Sequence, residues 1–397
     1  MNLKRKLWWA QHRTDVYKYG TILSLVLIVT ISIIYFTYSK FTSTNETTAE
    51  QFTKNDDFIA SYIDGEWSNE IPGKDDGYVV DKIVCDNGAT GTWDNEEWGI
   101  NIRNATKKIK CSVFFIVKPV SVTEKVTTLA TTDTTNFATD DPDNNIRYIG
   151  AGPNNYVYFN CSDYSNQSDS TCEKWRIIGV FKNMTKEDGS KADLVKIIRD
   201  DSLGYIALDS NDVNDWSTAS LQTTLNGTYA TGAFKNDLTR NAIESVVWNL
   251  GGLSSSVNTT STFYNAERGT TVYSGHATTW TGKIGLMYPS DYGYATSGGS
   301  TTDRVTCLAK YMQSWAGSDV SDCKNNDYLF KGVTEWTLAP VSSYSNLVYR
   351  VFNTGYVGNF TADYTAGVRP VVFLKSNISI TDAGIGTAES PFQLKVG

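Results

Sequence analysis

Residues 21–38, TILSLVLIVTISIIYFTY, run for eighteen positions without a charge. As a helix rising about 1.5 Å per residue they reach roughly 27 Å, close to the hydrocarbon thickness of a bilayer. A buried soluble helix would show a polar stripe, and this run has none. It exceeds the usual length of a cleavable leader and is followed by no small-residue cleavage pattern. Tyr35, Phe36 and Tyr38 at its end suit a membrane interface. Lys4, Arg5, Lys6, Arg13 and Lys18 precede it, against Asp15 alone. That bias predicts a cytoplasmic tail over 1–20, a transmembrane signal-anchor helix over 21–38 and an extracellular remainder. The bilayer is therefore one expected partner, and a cell membrane the expected location.

The chain carries a net −8; its first forty residues carry +5, leaving −13 for the rest. An acidic outer part argues against nucleic acid, whose phosphates need clustered Lys and Arg. Ser, Thr, Asn, Gly and aromatics are plentiful and proline is scarce, which reads as β-rich with polar turns.

All six cysteines follow the apolar run, as three sequence-local pairs. Outside the cell they predict disulfides Cys85–Cys111, Cys161–Cys172 and Cys307–Cys323. Residues 39–56 read as a polar stalk. Residues 57–120 read as a small all-β domain stapled by Cys85–Cys111 around Trp93 and Trp98, Ig-like in style. The Thr-rich 121–146 segment reads as a linker, and 147–397 as a large α+β domain. Strands are expected at 155–160, 175–181, 193–200, 347–353, 367–375 and 392–396. Two hairpins should turn at Asp188–Gly189 and at Asn353–Thr354–Gly355. Helices are expected over 217–226, 237–250 and 302–315 from apolar spacings of three and four.

RYIGAGPNNYVYFN (147–160), WRIIGVF (175–181), DWSTASLQTTLNGTY (215–229), TFYNAERGTTVYSG (262–275), TWTGKIGLMYPSDYGYATSG (279–298), WTLAPVSSYSNLVYRVFNTGYV (336–357) and GVRPVVFLKS (367–376) together resemble a family of membrane-anchored surface proteins of Firmicutes-type bacteria. The closing pattern, with Trp336, Gly355, Gly367, Arg369, Pro370 and Val371, is similar to the end of C-type-lectin-like and formylglycine-generating-enzyme-like domains. That resemblance implies a lectin-like α+β scaffold in which Trp336 and Arg369 are structural. No cysteine pair matches the oxidase site of those enzymes, so their activity is not implied.

Trp280, Tyr288, Asp291, Tyr292 and Tyr294 lie in a Gly/Ser/Thr-rich stretch. Aromatic faces beside short polar groups suit sugar or peptide binding, but packing in the domain core is the favoured reading of the same rings. Asp140, Asp141 and Asp143, and Asp209 and Asp212, form acidic clusters that could hold calcium, though neither has EF-hand spacing. His276 is the sole histidine beyond the apolar run, and an ordinary loop role suits it better than a general base. Glu267 and Asp291 are the pair a glycosidase would use. The leading expectation is a non-enzymatic surface protein that binds an extracellular glycan or protein. An extracellular glycan-cleaving enzyme and an envelope structural subunit are the alternatives.

Overall fold

The computed structural model describes residues 58–396 except 69, 106 and 256. The basic tail, the apolar run and the stalk lie outside the described residues. Within them, no helix is long and apolar enough to cross a membrane. The chain divides into two compact units, 1–118 and 119–397. It is a β-rich α+β protein with several sheets and three disulfides.

In the first unit the strand Lys110–Val117 sits inside a four-stranded sheet, between Phe58–Ile63 and Tyr78–Cys85. Alternate residues Cys111, Val113 and Phe115 point into the core, as the two-residue strand period requires. They meet Ile59, Ile100, Ile102 and Ile109, and Trp93 and Trp98 pack edge to face beside Phe115. Cys85 lies directly opposite Cys111 in the ladder, so their disulfide staples two paired strands.

The second unit centres on the long hairpin Glu173–Thr185/Lys191–Arg199. It turns at Asp188–Gly189, where Gly189 adopts φ +80°. Its second strand continues the sheet to Val371–Leu374 and then Ile243–Glu244, while its first strand pairs with Ile146–Tyr148. A second sheet runs in the order Tyr205–Ala207, Thr365–Gly367, Glu335–Pro340, Leu347–Val351, Val357–Thr361. Its last two strands form the other expected hairpin, with Gly355 at φ +93°.

Four expectations are corrected. Residues 121–146 are not a bare linker: Val122–Thr132 is a helix, capped by the Ser121 side chain, that buries Val122 and Val126. Threonine hides this helix in the sequence. Here the hydroxyls of Thr127, Thr131 and Thr132 bond back to carbonyls one turn earlier, which satisfies them inside the helix. The 237–250 helix stops at Ala242, and Ile243–Glu244 and Val246–Asn249 are strands. β-branched Ile243, Val246 and Val247 pack better on a pleated surface than along a helix. The third helix spans Arg304–Ala309 and gives way to a 3-10 turn at Met312–Ser314. The first helix, Ser220–Thr224, runs on past Gly227 through a π-turn at Leu225–Tyr229.

Cys307, in the helix Arg304–Ala309, bonds to Cys323, in the helix Ser321–Asn325, across a separation of 16 residues. Replacing both with serine is expected to lower stability by about 3 kcal/mol. Urea unfolding of the double variant checks this, and an unchanged midpoint would contradict it.

Candidate functional site

Every residue of the helix Pro289–Ala295 is buried. Proline fits its first turn because no N–H is needed there. Asp291 closes that turn by accepting the Tyr288 N–H at 2.9 Å. The same carboxylate accepts from Arg147 Nη1 at 3.2 Å and from Lys196 Nζ. Arg147 Nε reaches Asp141 Oδ2 at 2.6 Å. Two cations thus face two carboxylates inside the fold. Aromatic rings enclose them: Phe181 and Tyr294 lie 4.7 and 5.1 Å from the Arg147 guanidinium, and Tyr288 lies 4.6 Å from Lys196 Nζ. Burial pushes the Asp291 carboxyl up, but the Lys196 and Arg147 charges outweigh it and hold the group below its ordinary range. Asp141 is lowered in the same way, burial being outweighed by Arg147.

A cleft of about 40 Å³ opens beside this network, lined by Asp143, Asn145, Lys196, Trp248, Tyr264 and Arg268 among others. It suits a few waters; drug-sized ligands need pockets of roughly 300 Å³ or more. Arg268 stacks on Tyr264 with its guanidinium 3.3 Å from the ring centroid, and it reaches Asp143 at 3.5 Å and Glu267 at 3.4 Å. Glu267 is itself buried and accepts both the N–H and the hydroxyl of Ser290. Burial raises its pKa. Neither Glu267 nor Asp291 lines this cleft, and both are engaged by protein groups.

The aromatic candidates are redistributed. Tyr292 donates to the Gly355 carbonyl and packs on Trp315, and Tyr294 packs edge to face on Tyr264. Tyr288 donates to the Asn249 carbonyl. All three are core residues, because the small residues between them let the helix pack on every side: Gly293 lies against Thr260 and Met312. Trp280 is half-buried, edge to face on Trp216. Of these candidates Tyr288 lines the cleft, beside Trp248 and Lys196.

The acidic clusters are likewise taken. Asp140 pairs with Arg304, Asp141 with Arg147, and Asp143 with Arg268 and the Tyr264 hydroxyl. Asp209 accepts the N–H groups of Asn211, Val213 and Ser220; Asp212 holds Asn346 and the Asp363 N–H. No group of three His, Cys, Asp or Glu among the described residues could hold a metal ion. His276 is half-buried beside Tyr273, its ring 5.2 Å away.

A different surface emerges on the second sheet. Arg350 lies directly across from Trp336 on one side and Gly358 on the other. Its guanidinium sits 5.0 Å from Trp336, 4.8 Å from Phe352, 4.4 Å from Phe360 and 5.6 Å from Tyr364. Phe352 and Tyr356 stack at 4.4 Å, nearly parallel. Phe360 and Tyr364 pack at 4.8 Å, and they are 41% and 56% exposed. Gly358 makes room for this arrangement: a Cβ there would lie 2.8 Å from the Tyr356 ring and 3.0 Å from Phe352. The signal for this face was the period-2 set Arg350, Phe352, Tyr356, Gly358, Phe360 across the expected hairpin.

No family model matches the chain, and neither a curated protein nor a solved structure matches it.

Asp291→Asn would leave Lys196 and Arg147 with the Asp141 carboxylate alone. A loss of about 3–5 kcal/mol is expected, as for breaking a buried pair. Asp140→Asn, at the partly exposed Arg304 pair, should cost under about 1 kcal/mol. The two folded carboxyls Asp141 and Asp291 titrate below their unfolded value of about 3.9. The stability they contribute is therefore present above that pH and lost as pH falls through the folded values. Chemical denaturation from pH 7 to pH 2 should show a steep acid limb, shallower in Asp291→Asn. Equal limbs would contradict this reading of the network.

Proposed function

We propose that this chain is a non-enzymatic, membrane-anchored bacterial surface protein that binds an extracellular glycan through its second unit. The anchor is the apolar run 21–38, with the N-terminus in the cytoplasm. The small stapled unit is read as an Ig-like spacer and the large one as C-type-lectin-like, in line with the resemblance of its closing Trp336 to Val371 pattern. Three disulfides suit an oxidising compartment.

One observation carries the binding reading: the aromatic face around Arg350, with Phe360 and Tyr364 open to solvent. Sugars present apolar C–H faces beside hydroxyls, and flat rings beside a donor meet both needs. The glycosidase alternative finds less support, because Glu267 and Asp291 are held by Ser290, Lys196 and Arg147.

Binding of the full-length, detergent-solubilised chain to a glycan array tests this. Phe360→Ala and Tyr364→Ala should each weaken the positive signal by about 0.5–1.5 kcal/mol, roughly two- to tenfold. Tyr205→Ala removes an exposed ring at the opposite edge of the same sheet and should leave it unchanged. An effect of Tyr205 equal to that of the other two would contradict the proposed face.

A further inference from the structure

Four arginines of the second unit are buried: Arg147, Arg176, Arg350 and Arg369. Three of them face a carboxylate. Arg369 makes a two-pronged pair with Glu335, at 2.7 Å on each prong. Arg147 pairs with Asp141 and Asp291, and Arg176 lies 3.8 Å from Asp200 while bonding Asn155. Arg350 differs. Its Nε is buried with no hydrogen-bond partner among the described residues, as are Arg147 Nη2 and Arg369 Nη1, but those two guanidiniums hold a carboxylate through their other nitrogens. No ion pair joins it to a carboxylate of the described residues; its neighbours are the rings of Trp336, Phe352, Phe360 and Tyr364. Burying a guanidinium without a counter-charge is costly, and ring faces offset only part of that cost.

Resting on the glycan-binding reading above, we propose that Arg350 is the anchor of a subsite for a sugar carboxylate. The ligand is a short acidic glycan bearing a uronic or similar acid. The guanidinium offers a planar fork of donors that matches a planar carboxylate. A single cation suits a single negative charge, whereas a phosphate dianion or a nucleic-acid backbone calls for clustered Lys and Arg. Phe360 and Tyr364 stand beside the guanidinium as exposed ring faces for the sugar's C–H groups. The stacked Phe352–Tyr356 pair, drawn in over Gly358, forms the other wall. Tyr356 and Tyr364 also bring hydroxyls for the neighbouring sugar oxygens.

Calorimetry of the full-length chain in detergent compares trigalacturonate with its fully methyl-esterified form, which keeps the sugar faces and removes the charges. Acetyl-Gly-Glu-Gly-amide serves as the peptide rival. The acid should bind at least about tenfold more tightly than the ester, the scale of charge-assisted hydrogen bonds. Arg350→Gln should abolish that preference, with its fold checked by circular dichroism. Should that variant not fold, phenylglyoxal labelling of the unaltered chain takes its place: trigalacturonate should protect Arg350 from modification. Equal binding of acid and ester would overturn the carboxylate subsite and leave glycan binding standing. Binding of the peptide with no binding of either sugar would overturn the sugar class. A preference that survives Arg350→Gln, or an Arg350 labelled equally with and without ligand, would remove Arg350 from the site. Failure of every probe to bind, alongside glycan-array signals from neutral sugars alone, would refute the acidic-sugar assignment, and a blank array would refute the glycan reading itself.

Discussion

Charge buried among rings must find its partner inside the fold, and Asp291 is where that requirement converges. Its carboxylate takes the Tyr288 N–H, Arg147 and Lys196 together. Those donors come from the helix's own first turn and from two strands of the large sheet, Ile146–Tyr148 and Lys191–Arg199. One acid therefore fixes how the helix Pro289–Ala295 lies on the sheet. Tyr292 and Tyr294 follow the helix inward, one to Trp315 and one to Tyr264. Arg268 and Asp143 close the outer side, which leaves the cleft there only a few waters wide.

The second sheet obeys the same rule at Arg369 and departs from it at Arg350. Glu335 accepts both prongs of Arg369, and the Trp336 indole donates to the Ile206 carbonyl. Arg350, on the strand next to the sheet's edge, is enclosed by rings and has no paired acid among the described residues. The proposed anionic subsite rests on that buried cation without a paired carboxylate. That local deficit, set in an acidic chain, distinguishes one small patch from the bulk of the surface.

Much of the scaffold was legible because it is written in local chemistry. Asp188–Gly189 and Asn353–Thr354–Gly355 announce their hairpins through residues that tolerate positive φ, with alternating apolar strands on each side. The three disulfides join the cysteine pairs nearest in sequence. Long-range partners were not legible. Tyr288, Tyr292 and Tyr294 could be read as a ligand face although core is the favoured reading, and packing by Thr260, Met312 and Trp315 shows which partners they take. The run DDPDNN resembles a cation loop until Arg304, Arg147 and Arg268 arrive from distant positions, one for each acid. Arg350 escaped notice for the converse reason: its distinction is a missing partner, and no sequence pattern records an absence.

Hydrogen exchange measured by mass spectrometry, on the full-length chain with and without trigalacturonate, locates the binding face directly. Slowed exchange confined to 344–364, the hairpin that carries Arg350 and its rings, is the predicted result. Slowed exchange instead at 264–268 and 288–295, around the cleft, with 344–364 unchanged, would contradict the account.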